Sequence, residues 1–181
     1  MTPSIARTQL TADYSIPKII NGGWQLATGH ALAHALDMKD AHNAFAELLD
    51  RGFDTFDCAD IYTGVEAFYG QIIAERRRAG LSLPQIHTKF VPDLKDLAHV
   101  DRAYVERVIE RSLSRLGVER LDMVQFHWWD YDVPGCVETA LHLVDLQKKG
   151  KIRHIGFSFH DTPETLESIL SSHPEAEFVQ L

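Results

Sequence analysis

Cysteine is scarce in this sequence. Only Cys58 and Cys136 occur in 181 residues, and their separation matches no metal-ligand spacing. With so few thiols and no leader-like opening segment, the expectation is a reducing, cytoplasmic setting. Long apolar runs are missing. Nothing approaches the roughly 20 residues that span a bilayer, so no membrane partner is expected. Positive charge is in deficit, with 18 Lys and Arg against 26 Asp and Glu and a net charge of −8. A nucleic-acid binder would carry a basic stripe. The one short basic run, Arg76-Arg77-Arg78, falls where a helix would end, and cations suit that negative dipole end. The ten histidines show no H-E-x-x-H or comparable spacing, so no metal is expected. What is present is 45 % apolar and 24 % charged, the balance of an ordinary globular protein.

Strand-like and helix-like segments alternate along the chain. "IPKIINGGW" (16–24), "FDTFD" (53–57), "QIHTKF" (85–90), "LDMVQFH" (121–127), "KIRHIGFS" (151–158) and "EFVQL" (177–181) read as strands. Between them, residues 40–52, 65–80, 101–117, 133–150 and 161–173 read as helices. The clearest is 101–117, where Asp101 is placed to cap. Its Val105, Val108, Ile109, Leu113 and Leu116 form one apolar stripe. In 161–173, Asp161 and Glu164 have capping-box spacing. Strict β/α alternation means a parallel sheet, because each parallel crossover needs a helix. Two architectures fit, a doubly wound open sheet and a (β/α)₈ barrel. No G-x-G-x-x-G turn follows the first strand, which counts against the dinucleotide-binding open sheet.

The strands end in polar or aromatic residues. Trp24 follows the first, Asp57 to Tyr62 the second, Lys89 the third, His127 to Asp130 the fourth, Ser158 to His160 the fifth, and Gln180 lies in the sixth. In a parallel barrel these ends share one rim, where barrel active sites are built. A carboxylate, a phenol, an ammonium and an imidazole would then converge. A phenol alone is a poor acid at neutral pH, and an adjacent ammonium lowers its pKa. A carboxylate keeps a buried ammonium charged, and an imidazole orients a carbonyl oxygen. Such a set donates a proton to an oxygen gaining negative charge, and it has no evident nucleophile with a base partner. Carbonyl reduction by hydride from a nicotinamide matches it.

"FDTFDCADIY" (53–62), "HTKF" (87–90) and "LDMVQFHWWD" (121–130) resemble the aldo-keto reductase family. The family's aspartate precedes its tyrosine by five residues, as Asp57 precedes Tyr62; its lysine and histidine close the next two strands, where Lys89 and His127 stand. "VEAFYG" (65–70) matches its glutamate-to-glycine signature through Glu66 and Gly70. The resemblance implies a (β/α)₈ barrel using NADPH or NADH and acting on a small aldehyde, ketone or sugar. It implies Tyr62 as general acid, Lys89 as the group lowering its pKa, Asp57 as ion partner and His127 as carbonyl orienter. It also places Gly23, Ser158 and Gln180 at the cofactor, and Trp24, Trp128 and Trp129 at the substrate pocket, with packing an equal alternative for the last two.

Two departures go with it. "FSFHD" (157–161) carries Phe159 where many members have a carboxamide-binding asparagine, leaving His160 as a substitute donor. The sequence also stops at Leu181 inside the sixth strand, whereas a full barrel takes about 250 residues. The expectation is therefore one domain over 1–181, an incomplete barrel of about six strands and five helices with 1–16 as an extension. The alternative to a reductase is a non-catalytic remnant with impaired cofactor binding. Asp60 reads as a turn or helix-start carboxylate, and Cys58 as a small buried hydrophobe.

Overall fold

The computed structural model describes residues 5–28, 37–158 and 171, and the backbone of 178–179. The helix expected over 161–173 and the residues His160 and Gln180 lie outside the described residues.

The chain opens on a hairpin, β1 (Arg7–Thr11) and β2 (Tyr14–Pro17), paired antiparallel with a bulge between Gln9 and Thr11. A six-stranded sheet follows, made of β3 (Asn21–Gly22), β4 (Thr55–Asp57), β5 (Gln85–Phe90), β6 (Leu121–Phe126), β7 (Ile152–Phe157) and β8 (Phe178–Val179). Every adjacent pair is parallel and the strands lie in sequence order. Helices α1 (Met38–Asp50), α2 (Val65–Arg78), α3 (Arg102–Leu116) and α4 (Cys136–Lys148) make the crossovers. No helix among the described residues is long and apolar enough to cross a membrane.

The single strand expected over 16–24 is divided. Its first two residues end β2 in the hairpin, and only Asn21 and Gly22 join the parallel sheet. The break falls beside Pro17, which has no N–H for a ladder and marks a strand end. Residues 7–16 of the expected extension thus form most of an ordered hairpin. Its Tyr14 and Ile16 are buried against Met123.

Register sorts the side chains. Phe56 and Ile86, Thr88 with Val124 and Ile155, and Phe90 with Phe126 and Phe157 pair across strands. Most belong to the core shared with the helices. The alternate residues, Asp57 with His87, Met123 and His154, then Lys89 with Gln125 and Gly156, line the opposite, inner face. All five stripe residues of α3 are buried, each worth about 1.5–3 kcal/mol. The exposed ion pairs on the helices, such as Arg102–Asp145, contribute at most about 1 kcal/mol apiece. Burial, not surface charge, therefore decides the helix orientation. Asp101 caps α3 by accepting from the Tyr104 N–H at 2.7 Å, and Gly117 closes it at φ +65°. Helices α2 and α3 meet at Gly70, where a Cβ would collide with the Arg115 carbonyl.

Candidate active site

Asp57 is the last residue of β4, and Lys89 stands one position before the end of β5. Lys89 Nζ lies 2.5 Å from Asp57 Oδ1 and donates to the Cys58 carbonyl at 2.9 Å. Gln125, from β6, donates to the same Asp57 Oδ1 at 3.1 Å. The Lys89 and Asp57 side chains are only 15 % and 23 % exposed, so each charge depends on the other to offset lost hydration.

Tyr62 rises from the turn that joins β4 to α2. Its N–H donates to the Ala59 carbonyl at 3.0 Å, and its own carbonyl accepts from Val65 at 3.1 Å. Gly64, at φ +86°, makes the left-handed step into the helix. The Tyr62 ring lies under Lys89 Nζ, 5.3 Å from centroid to nitrogen. The phenol titrates above its ordinary value, first because of burial, then because of the negative charge of Asp57. The net shift is thus upward, where a lowering by Lys89 was expected. The ammonium is matched by Asp57 and the Cys58 carbonyl, and it meets the tyrosine at the ring face. Its attraction for a phenolate is therefore outweighed by burial and by Asp57, not absent.

His127 follows β6 and is buried. Its Nδ1 lies 3.0 Å from the Ser158 carbonyl, which can only accept, so Nδ1 carries the proton. The Ser158 N–H in turn donates to the Phe126 carbonyl at 2.9 Å. Trp129 packs edge-on against the His127 ring at 4.4 Å and donates its indole N–H to the Pro92 carbonyl at 2.7 Å. With Ile61, Val91 and Leu94 it lines a recess of about 250 Å³. Trp128 goes elsewhere. It is 3 % exposed and packs with Phe126 in the helix-side core, its indole bonded to the Val133 carbonyl. Packing, not pocket lining, is its place, because successive residues of an extended chain face opposite ways.

Gly23 donates its N–H to the Asp57 carbonyl at 2.9 Å. A Cβ there would stand 2.6 Å from the Tyr69 hydroxyl and 2.7 Å from the Asp57 oxygen, so the first rim segment sits close only because it is glycine. Trp24 opens a short 3₁₀ turn and is 49 % exposed. Cys58 is fully buried and its thiol is pushed well up by burial, as suits a small hydrophobe and not a nucleophile.

Two participants escaped the sequence reading. Gln125 has a legible signal, being a polar residue in the inward phase of an apolar strand, two residues before His127. Asp60 stands in a turn as expected, and what the sequence did not show is its burial. Its side chain is 2 % exposed and pairs with Arg111 at 3.0 Å. Beneath Lys89, His87 bonds to the Tyr14 hydroxyl at 2.9 Å, and its pKa is lowered to about 4 by burial, then by Lys89 and His154.

The sequence profile of the Aldo/keto reductase family matches residues 18–181. The chain belongs to this family. Among curated relatives, the aldo-keto reductase YhdN of Bacillus subtilis is 32 % identical over 160 residues, covering 86 % of this chain and 46 % of that protein. NECHADRAFT_45914 of Fusarium vanettenii is 27 % identical over 168 residues, covering 77 % and 44 %. Among solved structures, an aldo/keto reductase from Klebsiella pneumoniae in complex with NADP and acetate superposes with a TM-score of 0.70 at 28 % identity, covering 90 % of this chain and 53 % of that one. The thermostable aldo-keto reductase Tm1743 in complex with epalrestat reaches a TM-score of 0.77 at 24 % identity, over 97 % and 61 %. This aldo-keto reductase chain therefore has the fold of an incomplete (β/α)₈ barrel of the family type, and it spans about half the length of the curated relatives it matches.

Proposed function

We propose that the protein interconverts a small carbonyl compound and its alcohol with NADPH or NADH. The observation that supports this is the meeting of Tyr62, Lys89, Asp57 and Gln125 at one end of the sheet, with His127 closing the neighbouring strand. The donor set fits a hydride-supplying cofactor, since it offers a held proton and a fixed cation and its one buried thiol is inert. Gly23 and Ser158, with Gln180 beyond the described residues, would hold the nicotinamide, which supplies the hydride when bound.

The residues then have separate tasks. As the carbonyl carbon gains a hydride, the C=O π pair moves onto oxygen and takes the Tyr62 O–H proton. A phenol held above its ordinary pKa keeps that proton at neutral pH. The phenolate left behind forms beside the Lys89 ammonium, which offsets its charge. Asp57 and Gln125 keep that ammonium in place. His127, with Nδ1 committed to Ser158, donates to a carbonyl oxygen through Nε2 as imidazolium and accepts from an alcohol when neutral. Trp129 and the recess beside it would receive the apolar part of the substrate.

The test measures NADPH and NADH consumption with a panel of aldehydes, and cofactor binding separately by fluorescence quenching. Tyr62→Phe is expected to lower turnover about 10²–10⁴-fold with cofactor affinity unchanged. Full activity in that variant refutes the assigned donor. Neither quenching nor turnover in the wild-type chain favours the non-catalytic reading.

A further inference from the structure

Asp60 lies midway through the turn that carries Tyr62, yet its bonds lead away from that turn in three directions. Its N–H donates to the Lys89 carbonyl at 3.2 Å, and its Oδ1 accepts from the Val91 N–H at 3.0 Å. These two bonds grip β5 on both sides of Phe90, immediately past the residue that bears the ammonium. Its Oδ2 pairs with Arg111 at 3.0 Å, and its carbonyl accepts from Arg115 at 3.0 Å, so the same residue is tied to α3. Arg115 also holds the buried Glu66 at 3.1 Å, near the start of α2. The turn that presents the phenol is therefore tied to the strand that presents the ammonium by backbone bonds up to Lys89 and, beyond it, by one buried carboxylate.

We propose that Asp60 is a positioning residue that sets where the Tyr62 ring stands relative to Lys89. The inference rests on the reading of Tyr62 as proton donor. A side chain that served only turn formation would bond to the backbone of its own turn, as Asp in turns does. This one gives up its hydration to bridge three elements. With the side-chain bonds to Val91 and Arg111 cut, the 58–62 turn keeps its backbone bonds, Asp60 N–H to the Lys89 carbonyl among them, but loses the ties that fix it past Lys89. The Tyr62 ring then moves off the ammonium and takes up water.

The experiment compares wild type with Asp60→Asn and Asp60→Ala, and with Asp145→Ala as a surface ion-pair control. The readouts are the Lys89 ε-CH₂ proton shift, assigned with Lys89→Met, and the Tyr62 phenol titration by ring-carbon NMR, assigned with Tyr62→Phe. In the wild type the aromatic ring moves the Lys89 ε-CH₂ signal upfield. Both Asp60 variants are expected to lose part of that shift, Ala more than Asn, because the amide oxygen still accepts from Val91. The Tyr62 midpoint is expected to fall toward its ordinary value as burial is relieved. Turnover should drop about 10²-fold with little change in KM, the effect of misplacing a reacting group by about 1 Å. Asp145→Ala should change neither signal. If a folded Asp60 variant keeps the Lys89 and Tyr62 signals of wild type, whatever its melting temperature, the positioning role is refuted. If the signals move but no variant or wild type turns over a carbonyl substrate, the positioning role stands and the reductase reading falls.

Discussion

Lys89 Nζ stands 5.3 Å from the centroid of the Tyr62 ring while its hydrogen bonds go to Asp57 Oδ1 and the Cys58 carbonyl. The two side chains meet, but through the face of the ring. In the resting protein the phenol therefore feels Asp57 more than it feels Lys89. The ammonium offsets only part of the rise that burial and Asp57 produce.

Replacing Lys89 by Met tests this arrangement. The charge of Asp57, which already pushes the Tyr62 phenol up, would no longer be matched. The phenol titration is expected to move further up, as read by tyrosine ring-carbon NMR. Asp57 would be left partly buried without its cation, at a cost of about 2 kcal/mol in urea unfolding. That is below the ~3–5 kcal/mol of a fully buried broken pair, because both side chains keep some water.

Gln125→Leu removes the second donor to Asp57 Oδ1. A hydrogen bond to a charged group contributes about 1.5–3 kcal/mol, so unfolding stability should fall by about that amount. Gln125→Glu should cost more, since it sets a like charge against Asp57. Equal stability in all three proteins would show that Lys89 alone orients the carboxylate.

His87 and Asp60 predict opposite pH slopes. Burial lowers the His87 pKa from 6.5 to about 4. A depressed folded value means stability present above pH 6.5 that is lost as pH falls toward about 4. For Asp60, burial raises the pKa from 3.8 to about 7, with Glu66 adding to the rise and the Val91 N–H, Arg111 and Arg115 opposing it. A raised folded value means stability fully present below pH 3.8 and lost as pH rises through about 7. Each slope is at most about 1.4 kcal/mol per pH unit. Urea midpoints from pH 4 to pH 8 on wild type, His87→Gln and Asp60→Asn should separate them. The Asn variant should keep the acid loss and shed the loss toward neutral pH, and the Gln variant the reverse.

Gly70→Ala forces a methyl into the Arg115 carbonyl where α2 and α3 meet. Overpacking of this kind costs about 1–3 kcal/mol. Because Arg115 also bonds to Asp60 and Glu66, the variant should lower turnover as well as the thermal midpoint. An unchanged melting temperature would show that the helices have room to part.

Much of this architecture is legible from spacing. The stripe of α3, the caps at Asp101 and Gly117, and β5 over 85–90 follow from local rules that tertiary packing did not override. The division of 16–24 was not legible, because its residues are β-prone throughout and only pairing partners decide where one strand ends. Asp57, Tyr62, Lys89 and His127 were readable as strand-end polar groups. The direction of the Tyr62 shift was not, since it depends on burial and on the nearby Asp57 charge, which only the fold sets. Asp60 stands in a turn as expected, but its burial was not legible, because the side chain's partners, Val91 and Arg111, lie 31 and 51 residues away.

The opening hairpin has an effect out of proportion to its size. Tyr14 bonds to His87 on β5, stacks near His154 on β7, and lies beneath the Arg153 guanidinium, which also reaches Asp13. The floor under the Asp57–Lys89 pair is thus laid by residues that precede the first parallel strand. Removing residues 7–17 would open the inner face below the ion pair to water from the far end of the sheet.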